Sequence, residues 1–293
     1  MKNEFIHRVP SGLTAIVLIV LITFLLPSIA ICMILAVLAI ITLLEFYSLL
    51  SSSDIPTFRI IGAIFGFLII TGTWVQNTFS LPNGIEMSLI ALFLVSIFIR
   101  QCPQKHNHKP LITIAGTVLG FLYVPFLFNY FTHILFTWET PEIAGLLGKT
   151  GRQLLFYIIA VVKMTDIGAY IIGTKYGRHK LIPRLSPAKT WEGCIGGIIL
   201  GLITSFFFAW IVHWQFGVIT INLYDALILG LLLPCLGTIG DLTESMLKRA
   251  AGTKDSGRII PGLGGMLDIL DSVLFAAPAL YIYIKTVFAY GRL

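Results

Sequence analysis

Two stretches of the sequence concentrate side chains able to handle phosphate and metal. The richer one runs from Gly240 to Ser272. If its first part is helical, Asp241, Glu244 and Lys248 fall on one face, at offsets of three and seven residues. Asp268 and Asp271, three apart, share another. Hard carboxylate oxygens of this kind suit Mg²⁺, which usually takes one or two carboxylates together with substrate phosphates. Glu244 and Lys248 also stand in the favourable order for a simple surface ion pair, a second account of Glu244. Asp268 and Asp271 open an apolar stretch, where adjacent like charges repel unless a cation or basic group lies between them. Gly262, Gly264 and Gly265 would let backbone amides approach a phosphate, and a glycine-rich entry to tightly packed helices explains them equally well.

The second stretch begins with Lys163 and Asp166 and continues through Gly173–Lys180 to Ser186-Pro187-Ala188-Lys189-Thr190-Trp191-Glu192-Gly193. Asp166 lies within an apolar run, where a carboxylate must face protein, a partner charge or a site. Lys163, three residues earlier, is placed to pair with it. Ser186 and Pro187 have the form of a helix cap followed by proline in the first turn. A helix N-terminus carrying Ser186, Lys189 and Thr190 would suit a phosphate, although a plain cap accounts for the same residues. Other motifs fail. Gly148-Lys149-Thr150 ends like a phosphate-binding loop, but the earlier glycine position holds Ile143 and no strand precedes it. His106 and His108 sit in a basic loop without nearby ligands, and the four cysteines form no Cys-x-x-Cys pair.

The elements that must position these residues follow from composition. Charged residues number 34 of 293, or 12%, about half the roughly 25% of a soluble domain, and 57% of the chain is hydrophobic. That excludes a soluble domain and a disordered chain and predicts an all-α polytopic membrane protein of one integral domain, residues 1–293. Within it, helices of about 1–150 carry little chemistry, and about 151–293 form the catalytic half. Apolar stretches near the length of a ~30 Å hydrocarbon core fall at about 13–26, 28–50, 60–76, 85–99, 111–136, 153–173, 192–214, 223–240 and 268–284. The first is expected to be a membrane helix rather than a cleaved leader, and the first and fourth are short. With nine spans, fifteen Lys and Arg collect on one side and four on the other, so the N-terminus and both polar stretches are expected to face the cytoplasm. The net charge of +6 then reflects topology and anionic lipid rather than nucleic acid.

The Gly240–Ser272 stretch resembles the signature of phosphatidate cytidylyltransferases (CDP-diacylglycerol synthases). Matching positions are Ser245, Lys248, Arg249, Lys254, Asp255, Pro261, Gly262, Gly264, Gly265, Asp268 and Asp271. The blocks around Asp166 and from Ser186 to Gly193 are similar to that family's other characteristic segments. Leu263 stands where the family has His, and Ile269 where it has Arg. The resemblance implies the reaction of CTP with phosphatidate to give CDP-diacylglycerol and pyrophosphate, at the cytoplasmic membrane. It implies Mg²⁺, alone or with a second cation, on Asp241, Asp268 and Asp271, with Asp166 as a further ligand or an orienting partner. Lys189, Lys248, Arg249 and Asp255 would be catalytic; Ser186, Lys189, Thr190, Ser245, Lys254, Gly264 and Gly265 would bind substrate. CTP, phosphatidate and membrane lipid are the expected partners, and a homodimer is compatible with them. Rival readings are a CTP-dependent kinase or cytidylyltransferase acting on a polyprenyl or phytyl lipid, and an ion-coupled transporter using Lys163 and Asp166.

Overall fold

The computed structural model describes residues 24–104, 107–138, 150–212, 215–216, 219–253, 256–257 and 264–289. Its helices are α1 (Ser28–Ser52), α2 (Arg59–Thr78), α3 (Ile85–Gln101), α4 (Pro110–Phe121), α5 (Leu127–Phe136), α6 (Thr150–Tyr176), α7 (Trp191–Val212), α8 (Leu223–Ala250) and α9 (Met266–Ala289). A π-helical turn, Leu122–Phe126, joins α4 to α5 around Pro125, which has no N–H to give. Two short antiparallel hairpins complete the described chain: β1 (Lys180–Ile182) with β2 (Ser186–Thr190), and β3 (Gln215–Phe216) with β4 (Ile219–Thr220).

Among the described residues, seven helical runs, with Pro110–Phe136 counted as one, are long and apolar enough to cross a membrane. The protein is therefore an all-α polytopic membrane protein, as its composition predicts. α3 has 17 residues, about 26 Å at 1.5 Å per residue, in keeping with the short fourth span. The expected first span, 13–26, falls almost wholly outside the described residues. Large apolar side chains such as Ile60, Met87, Leu111 and Trp210 point outward, a surface suited to lipid.

The chain divides into two compact units that interleave in sequence: Met1–Phe126 with Asp255–Ile269, and Leu127–Lys254 with Leu270–Leu293. In the first, Tyr47 is fully buried, its hydroxyl donates to the Thr117 carbonyl at 2.8 Å, and Phe93 stacks on Phe121 with ring centres 4.0 Å apart. In the second, α6 and α7 pack through small residues. Gly193, Gly197 and Gly201 recur every four residues along α7, and Thr165, Ala169 and Gly173 do so along α6. A methyl group on Gly197 would collide with the Thr165 carbonyl and the Ala169 side chain, so the two backbones meet only because that position is glycine. Tyr157 and Ser205 share a buried 2.7 Å hydrogen bond, and Ser205 donates to the Ala226 carbonyl at 2.7 Å, tying α6, α7 and α8 together. A side chain at Gly240 of α8 would meet the carbonyl of Asp271 on α9, so this glycine admits α9 directly beside Asp241.

Candidate active site

Close approach of α8 and α9 assembles the acidic cluster. The carboxylates of Asp241, Glu244 and Asp271 each offer an oxygen, and these oxygens lie within 4.8 Å of one another. Asp241 and Glu244 come from one face of α8, which is helical through Ala250, ten residues past the expected end of its span. Glu244 is 1% exposed and accepts an ion pair from Lys248 at 2.6 Å. This corrects the account of Glu244 as a surface pair: the pair exists, but it is buried in the cluster. Asp271 is held from within its own helix, its Oδ1 accepting from Ser272 N at 2.6 Å and Ser272 Oγ at 3.0 Å.

Beside the cluster lies a cavity of about 430 Å³ between α6, the first hairpin, α7 and α8. Lys189 reaches across it to form an ion pair with Asp241, and Asp166, Lys180, Thr190 and Thr238 also line it. Lys163 donates to Asp166 Oδ2 at 3.1 Å, the pairing that their spacing predicts. Asp166, Lys189, Thr190 and Asp241 therefore converge on one cavity, with Glu244, Lys248 and Asp271 joined to them through Asp241.

The segment Ser186–Thr190 is not the helix start that Ser186-Pro187 suggests. It is strand β2, paired with β1 by Lys180↔Thr190 and Ile182↔Ser186, with the register shifting between Lys180 and Ile182. Thr190 caps α7 instead, its Oγ1 accepting from Gly193 N at 3.2 Å. Glu192 secures the hairpin by accepting from Arg178 N at 3.1 Å and His179 N at 3.2 Å, with His179 Nδ1 at 2.6 Å. The hairpin thus aims Lys189 at the cavity, while Ser186 starts the strand outside the cavity lining.

Other expected site residues have different surroundings. Arg249 points to the carbonyls of Leu185 and Thr253, each at 3.4 Å, and braces the turn of the first hairpin. Ser245 is partly exposed on α8 next to Glu244. In the first unit, Asp268 Oδ2 accepts from Gly265 N at 2.7 Å, Ser256 Oγ at 2.9 Å and Ser256 N at 3.3 Å. Gly264 has φ +94°, a conformation that requires glycine. Lys254, Asp255, Pro261, Gly262 and Leu263 lie outside the described residues, as does Lys149.

A helical membrane scaffold with clustered carboxylates beside a lysine-lined cavity has the equipment of an enzyme that works on phosphates at a bilayer. The family model described as the cytidylyltransferase family matches residues 6–287. The chain is 36% identical over 206 residues to the phosphatidate cytidylyltransferase of Bacillus subtilis, covering 70% of this chain and 71% of that protein. It is 35% identical over 277 residues to the phosphatidate cytidylyltransferase of Staphylococcus aureus (strain COL), covering 92% and 96%. This protein belongs to the cytidylyltransferase family and is a nucleotidyltransferase of phospholipid biosynthesis.

Proposed function

We propose that the protein joins CTP and phosphatidate into CDP-diacylglycerol and pyrophosphate at the cytoplasmic face of the cell membrane. The observation that carries this reading is the Asp241–Glu244–Asp271 cluster linked through the Lys189 ion pair to the cavity. Relatives named for the same activity, over most of their length, support it, as does the fifteen-to-four bias of basic residues, for the orientation.

A phosphatidate oxygen is already ionised at neutral pH, so it attacks the α-phosphorus of CTP without a strong general base. One P–O bond forms, the bond from the α-phosphorus to the bridging oxygen breaks, and that electron pair leaves with pyrophosphate. A site of this kind works with Leu263 in place of the family's histidine. Three carboxylate oxygens within 4.8 Å fit a hard divalent cation. When bound, Mg²⁺ supplies neutralisation of the triphosphate and the departing pyrophosphate. Asp241, Glu244 and Asp271 would hold it, with Asp166 a further carboxylate in the adjoining cavity. Lys189 and Lys180 bind phosphate oxygens in the cavity, and Lys248 balances Glu244. Thr190 holds Lys189 at the mouth of α7 by capping that helix.

The test is conversion of labelled CTP and phosphatidate into a lipid product by membranes containing the protein, with Mg²⁺ present. Product is expected with phosphatidate, and polyprenyl phosphate should neither compete nor be consumed. Label incorporated into polyprenyl phosphate in preference to phosphatidate would overturn the substrate assignment.

A further inference from the structure

Glu45 is the one charged residue of α1, seven residues before its end at Ser52, and it is 6% exposed. A charge in that position must have partners. Its Oε2 accepts from Leu267 N at 2.9 Å, across 222 residues of sequence. Leu267 is the second residue of α9, so its N–H is one of those that a helix start leaves unsatisfied. Helix starts are usually completed by a side chain at the residue before the helix. Here that residue is Gly265, which has none. Its backbone N–H is taken by Asp268, three positions on, which is one half of a capping box. Glu45 supplies the other half from a different helix, and its carboxyl group lies at the positive end of α9.

The same carboxylate shapes the chain that leads to α9. The three atoms that a methyl group on Gly257 would meet first are Oε1, Cδ and Cγ of Glu45, at 2.6, 3.0 and 3.3 Å. One on Gly265 would meet Ser256 Oγ, Glu45 Oε2 and Gly257 N. Ser256 is tied in turn to Asp268 through its N–H and hydroxyl. Glu45 and Asp268 therefore gather Ser256, Gly257, Gly265 and Leu267 into one knot, in which Glu45 stands close against both glycines.

We propose that Glu45 is a positioning residue for nucleotidyl transfer. It fixes where α9 begins and how it is rotated, and so the direction of Asp268 and, one turn further along the same helix, of Asp271. The inference rests on the cytidylyltransferase reading of the site; Glu45 itself touches no substrate.

The experiment uses the full-length protein in detergent, comparing wild type with Glu45→Ala, Glu45→Gln, Gly257→Ala and Glu45→Ala/Gly257→Ala. Deuterium uptake over residues 256–271 and steady-state kinetics with CTP are both read. Glu45→Ala should raise uptake there and lower kcat about tenfold, with KM for CTP changed less than about threefold. Glu45→Gln keeps an acceptor for Leu267 N and should stay within about threefold of wild type in kcat. Gly257→Ala alone should disturb the same segment, and it should cost less in the Glu45→Ala background, because the three atoms nearest its methyl all belong to Glu45. Wild-type uptake and kcat in Glu45→Ala would overturn the proposal, as would equal cost of Gly257→Ala in both backgrounds. If Glu45→Ala does not fold, Gly257→Ala decides by its uptake over the same segment, and unchanged uptake refutes. A wild type that forms no lipid product would sink the functional reading instead, and the uptake arms would still judge the capping role.

Discussion

Replacing Asp271 by Asn should make the protein more stable without divalent cation and less responsive to it. Three carboxylate oxygens lie within 4.8 Å of one another. At that separation two like charges repel by 332/(εr), about 3.5 kcal/mol for an effective ε of about 20, and Asp271 takes part in two such pairs. Lys189 on Asp241 and Lys248 on Glu244 offset part of this. Asp241 is also partly open to water, with 32% of its side chain accessible. A threefold discount of the ~7 kcal/mol leaves about 2 kcal/mol, or roughly 4 °C in Tm for a chain of this size. Asn is isosteric and keeps an Oδ1 to accept from Ser272 N and Oγ, so little else changes. The assay is thermal unfolding in detergent, with EDTA and then with Mg²⁺. With EDTA, Asp271→Asn should melt above wild type. With Mg²⁺ at about a hundred times its dissociation constant, wild type should gain about 2.7 kcal/mol, some 5 °C. The variant should gain much less. Equal Mg²⁺ stabilisation of both proteins, or a variant that melts below wild type in EDTA, would refute the assignment of Asp271 to a cation site.

Three further outcomes follow from the same geometry. Lys189→Met should lower kcat/KM for CTP by about 10²–10³-fold, the usual cost of removing one charge-stabilising donor from an active site, while Lys175→Met on the exposed end of α6 serves as the control and should change it less than about twofold. Gly197→Ala should lower Tm by about 2–6 °C in detergent, since its methyl must displace the Thr165 carbonyl and Ala169. Leu263→His and Ile269→Arg, which restore the family's residues, should leave nucleotidyl transfer unchanged or raise it; a collapse would show that this chain has built its site differently.

What the sequence makes legible here is what depends on helical period alone. Asp241, Glu244 and Lys248 share a face because three and seven residues are close to whole turns, and Lys163 reaches Asp166 for the same reason. Features that depend on partners distant in sequence were hidden. Glu244 and Lys248 have the spacing of an ordinary surface pair, yet Glu244 is buried, and α9 approaches at Gly240 to bring Asp271 beside it. Ser186-Pro187 has the residues of a helix cap, yet pairing with Lys180–Ile182 makes the segment a strand and passes the cap to Thr190. Glu45 had one signal, a lone carboxylate inside an apolar span, but its partner is 222 residues away.

The length of α8 shows how the bilayer itself locates the site. Its 28 residues measure about 42 Å, against a hydrocarbon core of about 30 Å, so an upright α8 would project roughly two turns beyond the apolar layer. Asp225 marks one end, where it forms a capping box with Asn222 and accepts from Tyr283 at 2.7 Å. Asp241 lies 16 residues on, about 24 Å along the axis, and Glu244, Lys248 and Arg249 follow within the projecting turns. In that upright orientation the acidic cluster would fall near the far boundary of the apolar layer, neither at its centre nor clear of it. At that depth a lipid phosphate arrives from within its own leaflet and a nucleotide arrives from water, and neither has to cross hydrocarbon. A site deeper by two turns would exclude the nucleotide, and one further out would require the lipid to leave its leaflet. On the proposed function, the overhang of α8 would belong to the catalytic design together with the carboxylates it carries.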